Sequence, residues 1–408
     1  MKIGIVTTWF ERGAAYVSKQ FMDVLQKTDE VFIYARGGEK YAIGNPLWDL
    51  PNVWWGKRSE AMLRTVERSY IYKKDFIKWI KQNRIEIVLF NEQRYYQPIL
   101  WCKELGVRSV AYVDYYTEDT LPFFEAYDCL ICNTQRHAFA MRNHTNSVYL
   151  KWGTNTSLYK PIERQHDNVS FFHSAGMAPF RKGTDILLQA FYNMKNRKKA
   201  KLIIHSQVNL SKIFPDLSSQ IKEMCNDKTL QIIEKTVTAP GLYYLGDVYV
   251  YPSRLDGIGL TLMEAISSGL PIITIDNAPM NEFADESFAL LCDVEYFYCR
   301  YDAYYWPMSV ANISSLTEKL NWFITNNDKL NEMSINARRY ALSELDFEKN
   351  MGELHRILND VSIKSIDKSL VSNIYNYDRS HFTVHRFIIN WFKETLKRSS
   401  FIRNILNR

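Results

Sequence analysis

Short apolar runs separated by longer amphipathic stretches recur along the chain. In the first half the runs at 2–8, 30–35, 85–90, 109–113, 128–132 and 147–150 read as buried strands. Helical patterns fall between them, the longest from Ser59 to Gln82. A second series follows, with strands at 169–174, 201–205, 229–233, 247–251, 271–275 and 288–292 and helices at 182–194, 216–225 and 260–268. Strands alternating with crossover helices imply parallel sheets, and two such series imply an α/β protein of two doubly wound, Rossmann-like domains facing a cleft. The alternation is interrupted at Lys151–Pro161, where glycine and proline intervene. We therefore expect one domain over 1–155 and another over 156–345. Helices at 312–326, 328–345 and 347–360 close the second unit, with 346–375 as closing helix and linker and 376–408 as a basic tail. In doubly wound sheets ligands bind beyond the carboxyl ends of the strands, so candidate residues are sought there.

The segment Tyr249–Asp276 is the most informative. It reads as strand, glycine-bearing loop, helix, turn and strand. Asp256 lies just before the helix, and Glu264 lies roughly one turn inside it. Gly257 and Gly259 let the backbone come close to a ligand, and a helix N-terminus presents N–H groups to an anion. Two carboxylates flanking an anion site suit a ligand with both phosphates and sugar hydroxyls, such as a nucleotide sugar. An Asp before a helix is also a common N-cap. Glu264 sits among Leu260, Leu262, Met263, Ala265 and Ile266, where burying a carboxylate without a partner is costly.

This segment resembles the donor-binding signature of the retaining glycosyltransferases of family 4, with Asp256 in place of the first Glu and Ile258 in place of Phe. Trp152–Pro161 resembles the stretch that opens that family's second domain. Ser174–Leu188 resembles its G-R-L-x-x-x-K-G-x-D-x-L-L block, and the likeness runs over roughly residues 1–360. It implies the two-Rossmann B fold (GT-B) with a C-terminal helical extension, with 1–155 as the acceptor side and 156–345 as the nucleotide-sugar-binding domain. It also implies metal-independent transfer from a UDP- or GDP-linked sugar to a glycan or lipid-linked glycan of the cell surface. Retention would proceed by same-face attack, with the departing phosphate oxygen taking the acceptor proton.

By this resemblance Lys182 binds the sugar donor's phosphates, Glu264 the ribose hydroxyls and Asp256 the donor sugar. The backbone N–H groups of Gly257, Ile258, Gly259, Leu260 and Thr261 serve sugar and phosphate. Met177 replaces the family's second phosphate-binding cation, and Arg181 is the substitute we expect. Gly13 and Ala14, after the first strand, stand where the family has a Gly-Gly pair. The family's histidine after the fourth strand is missing here, and Asp114 or Glu92 takes its place at the sugar or acceptor. No Asp-x-Asp occurs, so leaving-group charge must fall on cations and backbone dipoles. No metal and no cofactor beyond the sugar donor is expected.

Composition narrows the alternatives. With 408 residues, 46% hydrophobic and 24% charged, the chain has room for two ordinary cores. The 26 Tyr, 22 Phe and 10 Trp can stack on sugars, though most such rings fill cores. Neither a signal peptide nor a membrane span is visible, so a cytoplasmic protein is expected. Cys129 and Cys132 have redox spacing, but residues three apart on a strand point to opposite faces. Seven bases against one acid from Arg379 onward account for the whole net charge of +6, which argues against nucleic acid as a partner. Val384, Phe387, Ile388, Trp391 and Phe392 follow a helical apolar spacing, so 379–408 either lies on an anionic membrane or packs on the domains. Two other functions remain: a nucleotide-binding scaffold without activity, and an NAD-type oxidoreductase. The second needs G-x-G-x-x-G after the first strand, and Glu11–Tyr16 lacks it.

Overall fold

The computed structural model describes residues 1–37, 40–57, 69–162 and 168–382. It divides into two compact units, each built on a parallel sheet.

The first unit comprises Met1–Cys132, Ala140–Tyr149 and the chain from Gly352 onward. Its strands are β1 (Lys2–Thr7), β2 (Glu30–Ala35), β3 (Val53–Trp55), β4 (Ile87–Asn91), β5 (Arg108–Val113), β6 (Cys129–Cys132) and β7 (Ser147–Tyr149), in the order β3-β2-β1-β4-β5-β6-β7. Ile5 pairs with Ile33 on one side and Leu89 on the other, and all three are fully buried. Unbroken apolar runs are what a sheet covered on both faces requires. Phe76 and Trp79 of helix Lys73–Asn83 pack into this core.

The second unit comprises Asn133–Phe139 and Leu150–Met351. It holds β8 (Val169–Gly176), β9 (Ala200–Ser206), β10 (Leu230–Glu234), β11 (Val248–Tyr251), β12 (Ile272–Ile275) and β13 (Ala289–Cys292), in the order β10-β9-β8-β11-β12-β13. The strand order reverses between β8 and β11, where such sheets bind ligands. Two further strands, β14 (Val294–Tyr298) and β15 (Met308–Ala311), form a separate antiparallel ribbon.

Several expectations differ from what is observed. The chain returns to the first unit after Met351, and Asn133–Phe139 packs with the second unit before β7 is made. The expected helix at 347–360 is two pieces, Phe347–Asn350 and Leu354–Asp360. Of the expected helix Ser59–Gln82, residues 59–68 lie outside the described part, 69–72 are not helical, and the helix begins at Lys73. The apolar pattern in the tail also lies outside the described residues, because it starts at Val384. All six cysteines are free thiols. Among the described residues no helix is long and apolar enough to cross a membrane.

Candidate functional site

In the second unit, two loops at the carboxyl ends of β8 and β11 are hydrogen-bonded to each other. Arg254 N–H donates to the Arg181 carbonyl at 2.8 Å, and the Arg181 guanidinium donates to the Leu255 carbonyl at 2.8 Å. Arg254, only 4% exposed, makes a two-pronged ion pair with Asp185 at 2.7 Å per contact and lies over the Phe180 ring. Gly183 joins this loop to helix Thr184–Tyr192 at φ 71°, and a Cβ there would come within 2.0 Å of the Pro252 carbonyl oxygen. Only glycine fits that crossing.

This bracing aims Lys182 and Arg181 at Asp256. Lys182 Nζ lies 2.7 Å from Asp256 Oδ2, and the Arg181 guanidinium 2.9 Å from Oδ1. Tyr251, at the end of β11, donates its hydroxyl to Asp256 and accepts from Lys182. Burial pushes the Asp256 carboxyl up, but the Arg181 and Lys182 cations outweigh it and hold it well below the usual carboxylate range. Burial likewise lowers the Lys182 ammonium, to about 8 even with Asp256 beside it. Asp256 is therefore not an N-cap: the cap of helix Leu260–Ser267 is Gly259, at φ 80° and with no side chain bonded over the helix start. A Cβ at Gly257 would meet nothing within 4 Å, so the protein's own packing does not require glycine there.

Glu264 stands one turn into that helix and half-buried, as its spacing predicted. It accepts from the Tyr243 hydroxyl and from Tyr159, while burial pushes its carboxyl up. The partner that its apolar surroundings demanded is thus a pair of tyrosines. Met177, just past β8, is 75% exposed and makes none of these contacts.

Residues that the sequence did not single out complete the arrangement. Arg136 donates to the carbonyls of Asp256 and Ala278, each at 2.7 Å, and lies over the Trp306 indole. The neighbouring His137 is bonded to the Gly257 backbone. Glu282 in turn accepts the Gln135 and Arg136 amides at the start of helix Gln135–Ala140. A short segment from the middle of the chain thereby grips two consecutive carbonyls of the 256–259 loop. A charged pair in a short helix after a strand carries no motif that would have disclosed this.

The remaining candidates are in the first unit. Gly13 and Ala14 form the first turn of helix Gly13–Leu25, and the Ala14 carbonyl accepts from Asn91 at 2.9 Å. Glu92 follows β4 at φ 51° and pairs with Arg12 at 3.0 Å. Asp114 follows β5, and burial, then the nearby Glu92, push its carboxyl up against the Arg94 and Arg36 cations. Buried Arg36 donates to the carbonyls of Asn91 and Glu92, which fixes the loop bearing Glu92. Each unit thus brings together its own candidates: Asp256 with Lys182 and Arg181 in one, Glu92 with Asp114 in the other.

Residues 168–297 match the family described as "Glycosyl transferases group 1". An uncharacterized glycosyltransferase of Methanocaldococcus jannaschii is 25% identical over 31% of this chain and 32% of its own length. The lipopolysaccharide core biosynthesis mannosyltransferase LpsB of Rhizobium meliloti is 26% identical over 38% of this chain and 47% of its own. The match therefore spans less than half of either curated relative. The crystal structure of Anabaena HepE in complex with UDP and glucose shares the fold at a TM-score of 0.66, with 14% identity over 88% of this chain and 100% of that one.

Proposed function

We propose that this chain, which carries a group 1 glycosyltransferase segment and shares the GT-B fold, moves a sugar from a nucleotide-sugar donor to a glycan or lipid-linked glycan hydroxyl. The observation that carries this reading is the convergence of Lys182 and Arg181 on Asp256, in the loop that leads into helix Leu260–Ser267, whose start no side chain caps. Two cations and a helix N-terminus suit a leaving diphosphate. Glu264, one turn on, has the acceptor oxygens that ribose hydroxyls need. HepE, of the same fold, was crystallised with UDP and glucose.

The family 4 resemblance supports a retaining, metal-independent route. The acceptor oxygen bonds to the anomeric carbon on the face from which the carbon–oxygen bond to phosphate breaks, and the acceptor proton passes to that phosphate oxygen. Lys182 and Arg181 supply the charge stabilisation that a divalent ion supplies elsewhere. The mannosyltransferase relative, named for lipopolysaccharide core biosynthesis, favours a lipid-linked glycan acceptor. A scaffold without activity is the second reading, favoured by Asp256 engaging both cations.

Thermal shift against UDP-, GDP- and ADP-sugars, followed by assay of donor hydrolysis and transfer, tests the proposal. At least one sugar donor should stabilise the protein. Glu264→Ala should weaken that binding by roughly tenfold or more, as expected for a lost charge-assisted hydrogen bond. Wild-type affinity and rate in Glu264→Ala would remove the site assignment, and nucleotide binding with no turnover on any donor would leave the scaffold.

A further inference from the structure

Glu264 lies in an apolar stretch of its helix, and the group that fixes its carboxylate comes from outside that helix. The Tyr243 hydroxyl donates to Glu264 Oε2. Tyr243 opens the short helical turn Tyr243–Leu245, just before β11, and is 6% exposed. Burial, and then the nearby carboxylate, push its hydroxyl well above the usual tyrosine range, so the phenol keeps the proton that it donates.

The phenol is itself held by rings. It packs edge-on against Phe172 of β8 at 5.7 Å between centroids, Tyr249 of β11 at 5.8 Å and Tyr159 at 6.1 Å. The turn closes tightly onto β8, since a Cβ at Gly246 would lie 2.4 Å from the Phe172 Cβ. Tyr249 and Tyr251 are two apart on β11 and so share a face, and their rings stack at 5.7 Å. Tyr251 in turn donates to Asp256 and accepts from Lys182. A ladder of three tyrosines therefore runs from the Glu264 carboxylate to the Lys182 ammonium. In a nucleoside diphosphate the ribose hydroxyls and the phosphates are only a few bonds apart, so a site for both needs its two contact groups at a matching, fixed separation.

We propose that Tyr243 is a positioning residue for ribose recognition: by holding Oε2 it aims the Glu264 carboxylate at the ribose hydroxyls, in step with Lys182 at the phosphates. A carboxylate already held in place loses less rotamer freedom when the ligand arrives. Each of its oxygens accepts more than one hydrogen bond, so the tyrosines leave acceptors for the diol. The inference rests on the sugar-transfer reading and adds to it the residue through which Glu264 discriminates.

The test is titration calorimetry on the full chain, wild type and Tyr243→Phe, with UDP, GDP and ADP, each beside its 2′,3′-dideoxy form. Wild type should prefer the ribonucleotide that it binds over the dideoxy form by roughly tenfold or more, since the dideoxy sugar leaves Glu264 without its donors. Tyr243→Phe should bring that preference down toward one by weakening the ribonucleotide alone, with dideoxy affinity held to within about twofold. A preference equal to that of wild type, whether both ligands weaken together or neither does, overturns the proposal and leaves the sugar-transfer reading intact. A preference that widens also overturns it, because Tyr243 would then compete with ribose for the carboxylate. Should Tyr243→Phe fail to fold, the comparison moves to Glu264→Gln, whose neutral amide has no carboxylate for Tyr243 to hold. Adding Tyr243→Phe there should change neither affinity, and a change overturns the proposal. A wild type that binds a nucleotide without preferring ribose removes Glu264 from the ribose site and the proposal with it, while the phosphate contacts stand. A wild type that binds no nucleotide ends the sugar-transfer reading as well.

Discussion

Lys182 titrates low although its ammonium lies 2.7 Å from a carboxylate, because the cost of burial exceeds what Asp256 returns. Its charge is therefore conditional within the working pH range. Below about pH 8 the ammonium is present and attracts phosphate; as pH rises through 8 that attraction is lost. UDP affinity measured by calorimetry should bend near pH 8 and then weaken by up to about tenfold per pH unit. Asp256→Asn removes the attraction that holds the proton on Lys182, so the bend should move to lower pH. Lys182→Arg should abolish it, since a guanidinium stays charged. A bend that stays fixed in Asp256→Asn would mean that Lys182 is not the titrating group. At this scale much was legible. Lys182 and Asp256 were identified from spacing and resemblance, and they do meet. Tyr251, Arg136 and Arg254 were not, because their roles follow from which loop folds against which, and no local pattern records that.

Helix Lys368–His381 shows how a single side chain ties one element to another. Asp378, 1% exposed, accepts the Gln97 amide at 2.8 Å and the Tyr96 amide at 3.0 Å, capping helix Gln97–Glu104 from another part of the chain. Burial, opposed by these two amides, raises its carboxyl to about 7. A carboxyl raised on folding contributes stability that is fully present below its unfolded value, about 4, and is lost as pH rises through 7. Asp378→Asn keeps one acceptor oxygen and cannot ionise. Its melting temperature relative to wild type should therefore climb between about pH 4 and pH 7, by an amount corresponding to a few kcal/mol. A difference that stays flat would mean that Asp378 ionises normally. Among elements, the apolar runs located the six strands of the second sheet and all of the first but β3. That edge strand is three residues long, too short to show a period. The β14–β15 ribbon escaped because three successive aromatics, Tyr296 to Tyr298, leave β14 no alternation to read.

At the scale of the molecule, charge is distributed more unevenly than mass. The net +6 lies wholly from Arg379 onward, leaving the rest of the chain balanced. The return of the chain to the first unit after Met351 could not be read from sequence, since helices closing one unit or the other have the same periodicity. It does explain where the basic segment starts, at the end of a helix anchored to the first unit by Asp378. Truncation after Phe382 leaves helix Lys368–His381 and its Asp378 anchor in place. The apolar spacing from Val384 onward, with bases between, predicts that the removed piece carries affinity for anionic lipid. Each base near such a surface contributes about 1 kcal/mol, and salt screens it. The full chain should therefore sediment with phosphatidylglycerol vesicles at low salt and be released at high salt, while the truncated chain should stay in solution. UDP affinity should be equal in the two. Equal sedimentation of both would assign the lipid contact to the folded units, and weaker UDP binding on truncation would mean that the segment packs on the protein instead.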